Sequence, residues 1–539
     1  MQHWSLLTSK IITHAEREHG FRELVTNTVE GGIHRQTWAQ TAHRARQLAQ
    51  ALGRLGCKPG DRVATLAWNT HRHVEALYGI GGSGMVAHTI NPRLFPEQIG
   101  YIANHAEDVA LLFDISFIKL VEALAPRLPT IKHFIALTDA DHLPESSLDL
   151  IAYEGLLAAE DGRYVWPELD ENTACGLCYT SGTTGNPKGV LYSHRSTVLQ
   201  TYASCMVDTL GIGSSDVVMP IAPMFHVNAW GIPFSSAAIG AKLVLNGPAF
   251  DAPTLHRLIL DEGVTMTAAV PTVWLAMLQH LEKTNGHLGR LKSVVIGGSA
   301  APRMMIEAFQ TKYGAKVHHA WGMTEMSPLG TVGTLTPEVA ALPHEQQLDM
   351  QCKQGRAIFG VELTVKDPAG QPQPRDGQAF GHLKVRGPWI IDTYFRGDGG
   401  HILDDDGYFD TGDVSTIDGL GYMQITDRAK DVIKSGGEWI SSIDLENIAV
   451  GHPAVLEAAV IGVFHPKWDE RPLLILVKKP GAELSKQDML DYLSPRIAKW
   501  WTPDDVVFVD QLPHTATGKL LKTALREQFK DYRLPTIAA

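Results

Sequence analysis

Between residues 37 and 137 the chain alternates between helical and strand-like periodicity, and this alternation restricts the fold more than any other feature. WAQTAHRARQLAQALGRL, HVEALYGI and EQIGYIANHA repeat apolar residues at helical spacing, while DRVATLAW, MVAHTI and VALLFD between and after them read as short strands. Strands joined through helices run parallel, so the pattern predicts a largely parallel, doubly wound sheet with helices on both faces. A second run of the same kind follows further on, from DVVMPIAP through GAKLVLN, VTMTAAV and LKSVVIGG to KVHHAWG, and predicts a second α/β subdomain. GVELTVKDPAG, GHLKVRG and GYMQITD are shorter and bounded by turns, which predicts a small β region. After residue 431 the character changes to a compact α+β segment of about a hundred residues, the size of a separate domain. The expected organisation is therefore a large N-terminal domain, residues 1–429, and a small C-terminal α+β domain, residues 430–539.

Between the two α/β runs stands YTSGTTGNPKG, residues 179–189, with four Ser/Thr hydroxyls, three glycines, one proline and one lysine. Glycine lets backbone N–H groups approach a ligand, hydroxyls donate to oxygens or ligate a hard cation, and Lys188 supplies a point charge. This composition suits phosphate. It is not the G-x-x-x-x-G-K-[ST] loop, because Pro187 stands five places after Gly182 and Gly189 follows Lys188.

Composition narrows the partners. The 539 residues are 44% hydrophobic and 20% charged with a net charge of −12, so a general nucleic-acid or anionic-membrane surface is not expected. The N-terminus lacks the basic, apolar and small-residue succession of a signal peptide, and no apolar run reaches the roughly 20 residues of a spanning helix. The C-terminal PTIAA is not a peroxisomal tripeptide, and a cytoplasmic location is the expectation. Five cysteines do not make a disulfide framework, and Cys175 and Cys178, on opposite faces of a strand, are read as packed residues. GIGGSG, residues 79–84, has the dinucleotide spacing but follows a helix and precedes a strand, the reverse of what that motif needs, so these glycines are read as packing glycines. LLTSKIITHAEREHG carries a helical apolar stripe suited to packing within the chain.

Four other stretches carry chemistry-bearing residues. VHHAWGMTEMSP puts Thr324 and Glu325 at the end of an apolar strand, where ligands of open α/β sheets sit. DGYFDTGDV offers Asp413, after a Thr-Gly turn, as an acceptor for a ribose hydroxyl pair. TDRAKDVIKSGGEWISS combines Arg428, Lys430 and Lys434 with a Gly-Gly turn and Trp439, and PHTATGKLLKTALRE places Lys519 on a loop before a helix.

In this order, the stretches resemble the superfamily of adenylate-forming enzymes: acyl-CoA synthetases, luciferases and peptide-synthetase adenylation domains. The resemblance runs from about Thr37 to Tyr532 and rests on YTSGTTGNPKG, WGMTE, YFDTGD, DRAKDVIKSGGEWIS and the late TGK. PMFHVNAWG and IKSGGEWISSIDLEN are most similar to bacterial medium- and long-chain fatty acid–CoA ligases. The chain departs from the pattern in FRGDGGHILDDDGYFDTGD, which lacks the usual Thr-x-x-x-Phe.

The resemblance implies ATP, Mg²⁺ and coenzyme A, with a carboxylic acid activated as acyl-AMP and then passed to a thiol. Thr180 and Glu325 would hold Mg²⁺. Ser181, Gly182, Thr183, Thr184, Gly185 and Lys188 would cradle the β- and γ-phosphates. Gly298 and the stretch His319, Ala320, Trp321 and Gly322, with Thr324 after it, would frame the adenine. Asp413 and Arg428 would bind the ribose. Lys519 would approach the carboxylate and the α-phosphate, and Lys430 would be the hinge on which a mobile C-terminal domain turns between the two half-reactions. Lys434 and Trp439 would contact the nucleotide or the acyl-AMP carbonyl. His226 would lie near the substrate carboxylate, and Trp230 would gate the acyl tunnel.

The implied reaction is AMP-forming ligation of a medium- to long-chain fatty acid to coenzyme A. Alternatives keep the chemistry: a short or sulfur-containing acid of the methylthiopropanoate type, an aryl acid, or loading of a carrier protein, although no carrier-like segment is fused here. Light emission has no motif of its own in this chain, and a non-enzymatic nucleotide binder is disfavoured because Lys519, Glu325 and Asp413 are all present. Relatives of the fatty-acid type are often dimers, which makes a homodimer a further expectation.

Overall fold

The computed structural model describes residues 1–180, 186–435, 438–514 and 520–537. Among them the apolar runs become parallel strands buried on both faces, as a doubly wound sheet requires. In the seven-stranded sheet, Leu150–Ala152, His133–Ala136, Ala110–Phe113, Arg62–Leu66, Val86–Thr89 and Ala174–Tyr179 run parallel, and Gly189–Ser193 closes the edge antiparallel to Ala174–Tyr179. Thr180 and residues 186–188, the described ends of the glycine- and hydroxyl-rich stretch, thus adjoin the two strands at the edge of the first sheet.

The nine-stranded sheet has the parallel strands Lys316–Gly322, Ser293–Ile296, Met266–Ala269, Val217–Pro220 and Lys242–Leu245 at its centre. It also takes in Glu23–Asn27, parallel to Lys242–Leu245, and Ile33–Thr37 outside it. The N-terminal segment therefore crosses to the second subdomain before the first one begins. Periodicity within a segment carries no information about which sheet recruits it.

Local chemistry sets many of the ends. Helix Trp38–Arg54 starts at a capping box in which Thr37 Oγ1 accepts the Gln40 N–H and Gln40 Oε1 accepts the Thr37 N–H. Helix Thr8–His19 buries Ile11, Ile12 and Ala15 against Trp38–Arg54 and Ile232–Ile239, so its apolar stripe packs within the chain. Gly79 and Gly82 lie inside helix His71–Gly82, where an added Cβ would sit 2.8 Å from the Ala45 carbonyl oxygen and 2.8 Å from the Trp166 ring respectively. Close packing accounts for them. Cys175 and Cys178 are buried on Ala174–Tyr179.

Glu362–Lys366, Gly381–Arg386, Phe409–Ile417 and Met423–Arg428 form a four-stranded antiparallel sheet. The Thr-Gly turn expected before Asp413 is instead an irregularity inside strand Phe409–Ile417: Gly412 takes φ +71°, and the strand continues through it. A five-stranded sheet follows, in which Ile433–Ser435 pairs with both Glu438–Ile440 and Asp469–Lys478. Helices Ser442–Val450, Lys486–Leu493 and Lys522–Gln528 accompany this sheet, which has its own core around Val460, Leu474 and Val506. The chain is thus a mixed α/β fold with a large N-terminal and a small C-terminal domain. No helix among the described residues is long and apolar enough to cross a membrane.

Candidate active site

The ends of both parallel sheets open on a cavity of about 600 Å³ that the C-terminal domain caps. Thr180, at the end of strand Ala174–Tyr179, and Lys188, just before Gly189–Ser193, close the base of the loop: the Thr180 N–H donates to the Lys188 carbonyl at 2.9 Å, and the Lys188 N–H to Thr180 Oγ1 at 3.2 Å. Both line the cavity. Ser181, Gly182, Thr183, Thr184 and Gly185 lie outside the described residues. Below the loop, the Tyr179 phenol and His105 Nδ1 are 2.7 Å apart.

Facing Lys188 is the short turn Thr324–Met326, where Thr324 and Glu325 are buried in the cavity wall. The Tyr192 phenol donates to the Thr324 carbonyl at 2.8 Å, and the Tyr394 phenol donates to Glu325 Oε1 at 2.8 Å. The hydroxyl of Thr180 and the carboxylate of Glu325 are oxygen donors lining the same cavity, the kind of ligand a hard divalent cation prefers.

At the next position along, Ala320, Trp321 and Gly322 line the cavity from the end of strand Lys316–Gly322. The Trp321 indole N–H donates to Asp413 Oδ2 at 3.0 Å, and Arg428 Nε meets Asp413 Oδ1 at 2.8 Å. Asp413 and Arg428 face one another across strands Phe409–Ile417 and Met423–Arg428. A neighbouring cavity of about 490 Å³ shares Gly298, Ala320, Trp321, Gly322 and Arg428 with the first and adds Asp413. His319 lines neither. Its ring is 1% exposed, with Nε2 accepting the Ala301 N–H at 3.2 Å and Nδ1 3.2 Å from the Gln351 carbonyl oxygen. Burial pushes its pKa down to about 4, so it is a neutral brace under the strand.

The apolar end is formed by His226, Val227 and Trp230 with Gly297 and Gly298. Val227, Asn228, Ala229 and Trp230 all lie in the left-handed region, with φ of 48°, 50°, 51° and 58°. Such residues cost about 1–2 kcal/mol each, and runs of them persist only where the surroundings hold them. Here Gln200 fills the space where a Cβ on Gly231 would be, 2.4 Å from Gln200 Oε1, and the Trp230 ring lies 3.2 Å from where Gly297 would carry one.

From the C-terminal side come Lys430 and residues 520–523. Burial holds the Lys430 ammonium below its usual pKa. Lys434 is exposed on strand Ile433–Ser435 and does not line the cavity. The backbone of Trp439 pairs with it in Glu438–Ile440. Lys519 and the side chain of Trp439 lie outside the described residues.

Thr180, Lys188 and Glu325, the Trp321 stretch, and His226 with Trp230 thus line one cavity, with Asp413 in the adjoining one. The chain matches the model of the AMP-binding enzyme family over residues 12–395 and that of the AMP-binding enzyme C-terminal domain over residues 444–519. It belongs to the AMP-binding enzyme family.

Whole-chain relatives agree. The chain is 51% identical over 530 residues to a 3-methylmercaptopropionyl-CoA ligase of Ruegeria lacuscaerulensis, covering 98% of each sequence. It is 49% identical over 530 residues to a medium-chain-fatty-acid–CoA ligase of Ectopseudomonas oleovorans, covering 98% of this chain and 97% of that one. Its fold matches the crystal structure of ATP-bound MatB from Rhodopseudomonas palustris with a TM-score of 0.81 at 25% identity, over 97% of this chain and 99% of that one.

For this AMP-binding enzyme the sequence motifs did not single out Tyr394, which lines the cavity. It stands immediately before FRGDGGHILDDDGYFDTGD, the segment that departs from the family pattern, and reaches Glu325 from 69 residues away. The same departing loop packs on the phosphate loop's base: Gly399 sits so close to Lys188 that a Cβ there would be 2.8 Å from Nζ.

Proposed function

We propose that the protein is an AMP-forming acid–thiol ligase that joins a medium- to long-chain fatty acid to coenzyme A. The observation that carries this reading is that one cavity is lined by Thr180, Lys188 and Glu325 together with His226 and Trp230. A carboxylate is a poor acyl donor because oxide would have to leave. Its oxygen attacks the α-phosphorus of ATP, the bond to the β-phosphate breaks, and pyrophosphate departs with its charge. The coenzyme A sulfur then attacks the acyl carbon, the acyl C–O bond breaks, and AMP leaves while the thiol proton passes to water.

Both steps gather anions, so neutralisation and positioning carry the catalysis. Lys188 and the residue 181–185 loop receive the β- and γ-phosphates. Thr180 and Glu325 hold Mg²⁺, which neutralises phosphate charge when bound. Gly298, Ala320, Trp321, Gly322 and Thr324 frame the adenine, and Asp413 with Arg428 takes the ribose hydroxyls. His226 orients the substrate carboxylate, and Trp230 sets how far the acyl chain enters. Lys519 screens the carboxylate from the α-phosphate. The neighbouring residues 520–523 already wall the cavity, which supports that placement. Lys430 divides residues 1–429 from the C-terminal domain, residues 430–539. It follows the last strand of the four-stranded sheet by two residues and precedes the first of the five-stranded sheet, which suits a hinge. The exposed Lys434, with Trp439, reaches the nucleotide in the second orientation.

A second reading changes only the acid. The methylmercaptopropionyl relative is as similar as the fatty-acid one, which favours a short sulfur-containing substrate on equal footing. Coenzyme A-dependent turnover across acids from propanoate and 3-(methylthio)propanoate to palmitate separates the two. A maximum at eight carbons or more supports the fatty-acid reading, and a maximum at the short acids replaces it. Acyl-AMP that coenzyme A does not discharge would make a carrier protein the acceptor.

A further inference from the structure

Residues 429–432 connect the four-stranded sheet, which ends with Met423–Arg428, to the five-stranded sheet, which begins with Ile433–Ser435. Across this connector the two units meet through buried charge. Asp427, fully buried, accepts the Ser442 backbone N–H at 2.8 Å through Oδ2 and its neighbour's Arg428 N–H at 2.8 Å through Oδ1. Ser442 is the first residue of helix Ser442–Val450, so a carboxylate from the N-terminal side of the connector satisfies the positive end of a helix on the other side. Ser441, the cap of that helix, donates its hydroxyl to the Thr426 carbonyl.

Lys522 completes the arrangement. It opens helix Lys522–Gln528, and its ammonium donates to Ser442 Oγ at 2.5 Å and to Glu446 Oε1 at 2.7 Å. Its side chain is only 9% exposed. Although burial opposes its charge, the charges of Glu446 and Asp427 keep it protonated. One turn later Arg526 pairs with Asp431, inside the connector, at 2.7 Å. Lys522, with Leu520 and Leu521, lies in the wall of the cavity that also contains Thr180 and Glu325.

We propose that Asp427 and Lys522 are positioning residues: both bind Ser442, Asp427 through its backbone N–H and Lys522 through its Oγ, and together they hold the C-terminal domain in the orientation in which residues 520–523 wall the cavity. Glu446 and Ser442 travel with Lys522, whereas Asp427 stays with the four-stranded sheet. Turning the domain at residue 430 therefore separates Asp427 from the Ser442 N–H and from the nearby charge of Lys522. Separating a buried carboxylate from its N–H donor is costly unless water reaches it, so the contact biases the domain toward this orientation. The inference rests on the two-step ligase reading above, in which this orientation serves acyl-AMP formation and a second one serves thiol transfer.

The test compares Asp427→Asn, which keeps an acceptor for the Ser442 N–H but drops the charge, Lys522→Met, which keeps the chain length, and the double variant. Acyl-AMP formation from acid and ATP is measured separately from coenzyme A acylation starting with supplied acyl-AMP, and amide exchange is followed in a peptide covering residues 441–446 of the ligand-free protein. Each single variant is expected to slow the first half-reaction about tenfold or more and leave the second within about twofold, with the double variant no worse than the poorer single one. Exchange in the peptide accelerates in all three. Equal losses in both half-reactions, or additive effects of the two substitutions, overturn the proposal while wild-type activity keeps the ligase reading intact. A wild-type protein that forms no acyl-AMP defeats the ligase reading instead. In that case unchanged exchange at residues 441–446 overturns the pair, and faster exchange supports it.

Discussion

The phenol of Tyr394 donates to Glu325 Oε1 across 2.8 Å, while the Lys188 ammonium lies 4.9 Å from the centre of the same ring. One side chain thus touches both the carboxylate and the cation to which the proposed function gives the metal and the phosphates. A hydrogen bond to a charged group contributes about 1.5–3 kcal/mol, which is roughly one to two decades in an equilibrium constant. Tyr394→Phe should therefore raise the Mg²⁺ concentration for half-maximal activity about tenfold, with little change in the apparent affinity for the acid. Activity measured against total Mg²⁺ at fixed ATP reads it, and an unchanged metal dependence would remove Tyr394 from the account.

Trp321 and Asp413 form a second bracing pair, joined at 3.0 Å. Trp321→Phe keeps an aromatic face and removes the indole donor. The expected result is a KM for ATP raised about tenfold with kcat reduced less than threefold, since the lost bond orients the carboxylate proposed to take the ribose hydroxyls. A change in kcat alone would contradict this.

The Trp230 ring closes the apolar recess against Gly297, with the left-handed turn Val227–Trp230 supporting it. Trp230→Ala should deepen the recess. Specificity for dodecanoate relative to 3-(methylthio)propanoate, as the ratio of kcat/KM values, is expected to rise about tenfold, the low end of what a single methylene is worth in an apolar pocket. A proportional loss on both acids would make Trp230 a packing residue.

Asp114 lies outside the cavity wall and offers a pH test of the fold. It is fully buried, its Oδ2 accepts the Trp68 N–H at 2.6 Å, and burial pushes its pKa up to about 7. Between the ordinary carboxylate pKa near 4 and about 7, the folded protein holds a proton that the unfolded chain has released, so this group lowers stability as pH rises through that window. The loss is at most about 4 kcal/mol at 1.36 kcal/mol per pKa unit. Asp114→Asn removes the titration and keeps an acceptor for Trp68. Its Tm should exceed that of the wild type by an amount that grows from pH 5 to pH 7.5 and then levels off. A Tm difference independent of pH would show that Asp114 does not titrate in this window.

Much of the fold was legible because its strands are buried on both faces and its helices are amphipathic, as in Arg62–Leu66 and Trp38–Arg54. What periodicity could not supply was partnership across the chain. Glu23–Asn27 reads as a strand from its own residues, but its place beside Lys242–Leu245 depends on a surface more than two hundred residues away. The site divides in the same way. Thr180, Lys188, Glu325 and Trp321, each in a dense local motif, come together on one cavity. Tyr394 was not legible in this way, since its role comes from where a loop with no motif folds back. His319 was placed with the adenine-framing stretch, yet its ring is held beneath the strand by Ala301 and Gln351, contacts that the motif alone does not reveal.

The central claim is that a carboxylate oxygen attacks the α-phosphorus of ATP in this cleft. It is tested most directly by supplying a fatty acid labelled with ¹⁸O in its carboxyl group, together with ATP, Mg²⁺ and coenzyme A, and weighing the nucleotide product. The account predicts one ¹⁸O atom in each AMP released, with pyrophosphate unlabelled and acyl-CoA formed in equal amount. Label in inorganic phosphate accompanied by ADP, or AMP free of label, would contradict it.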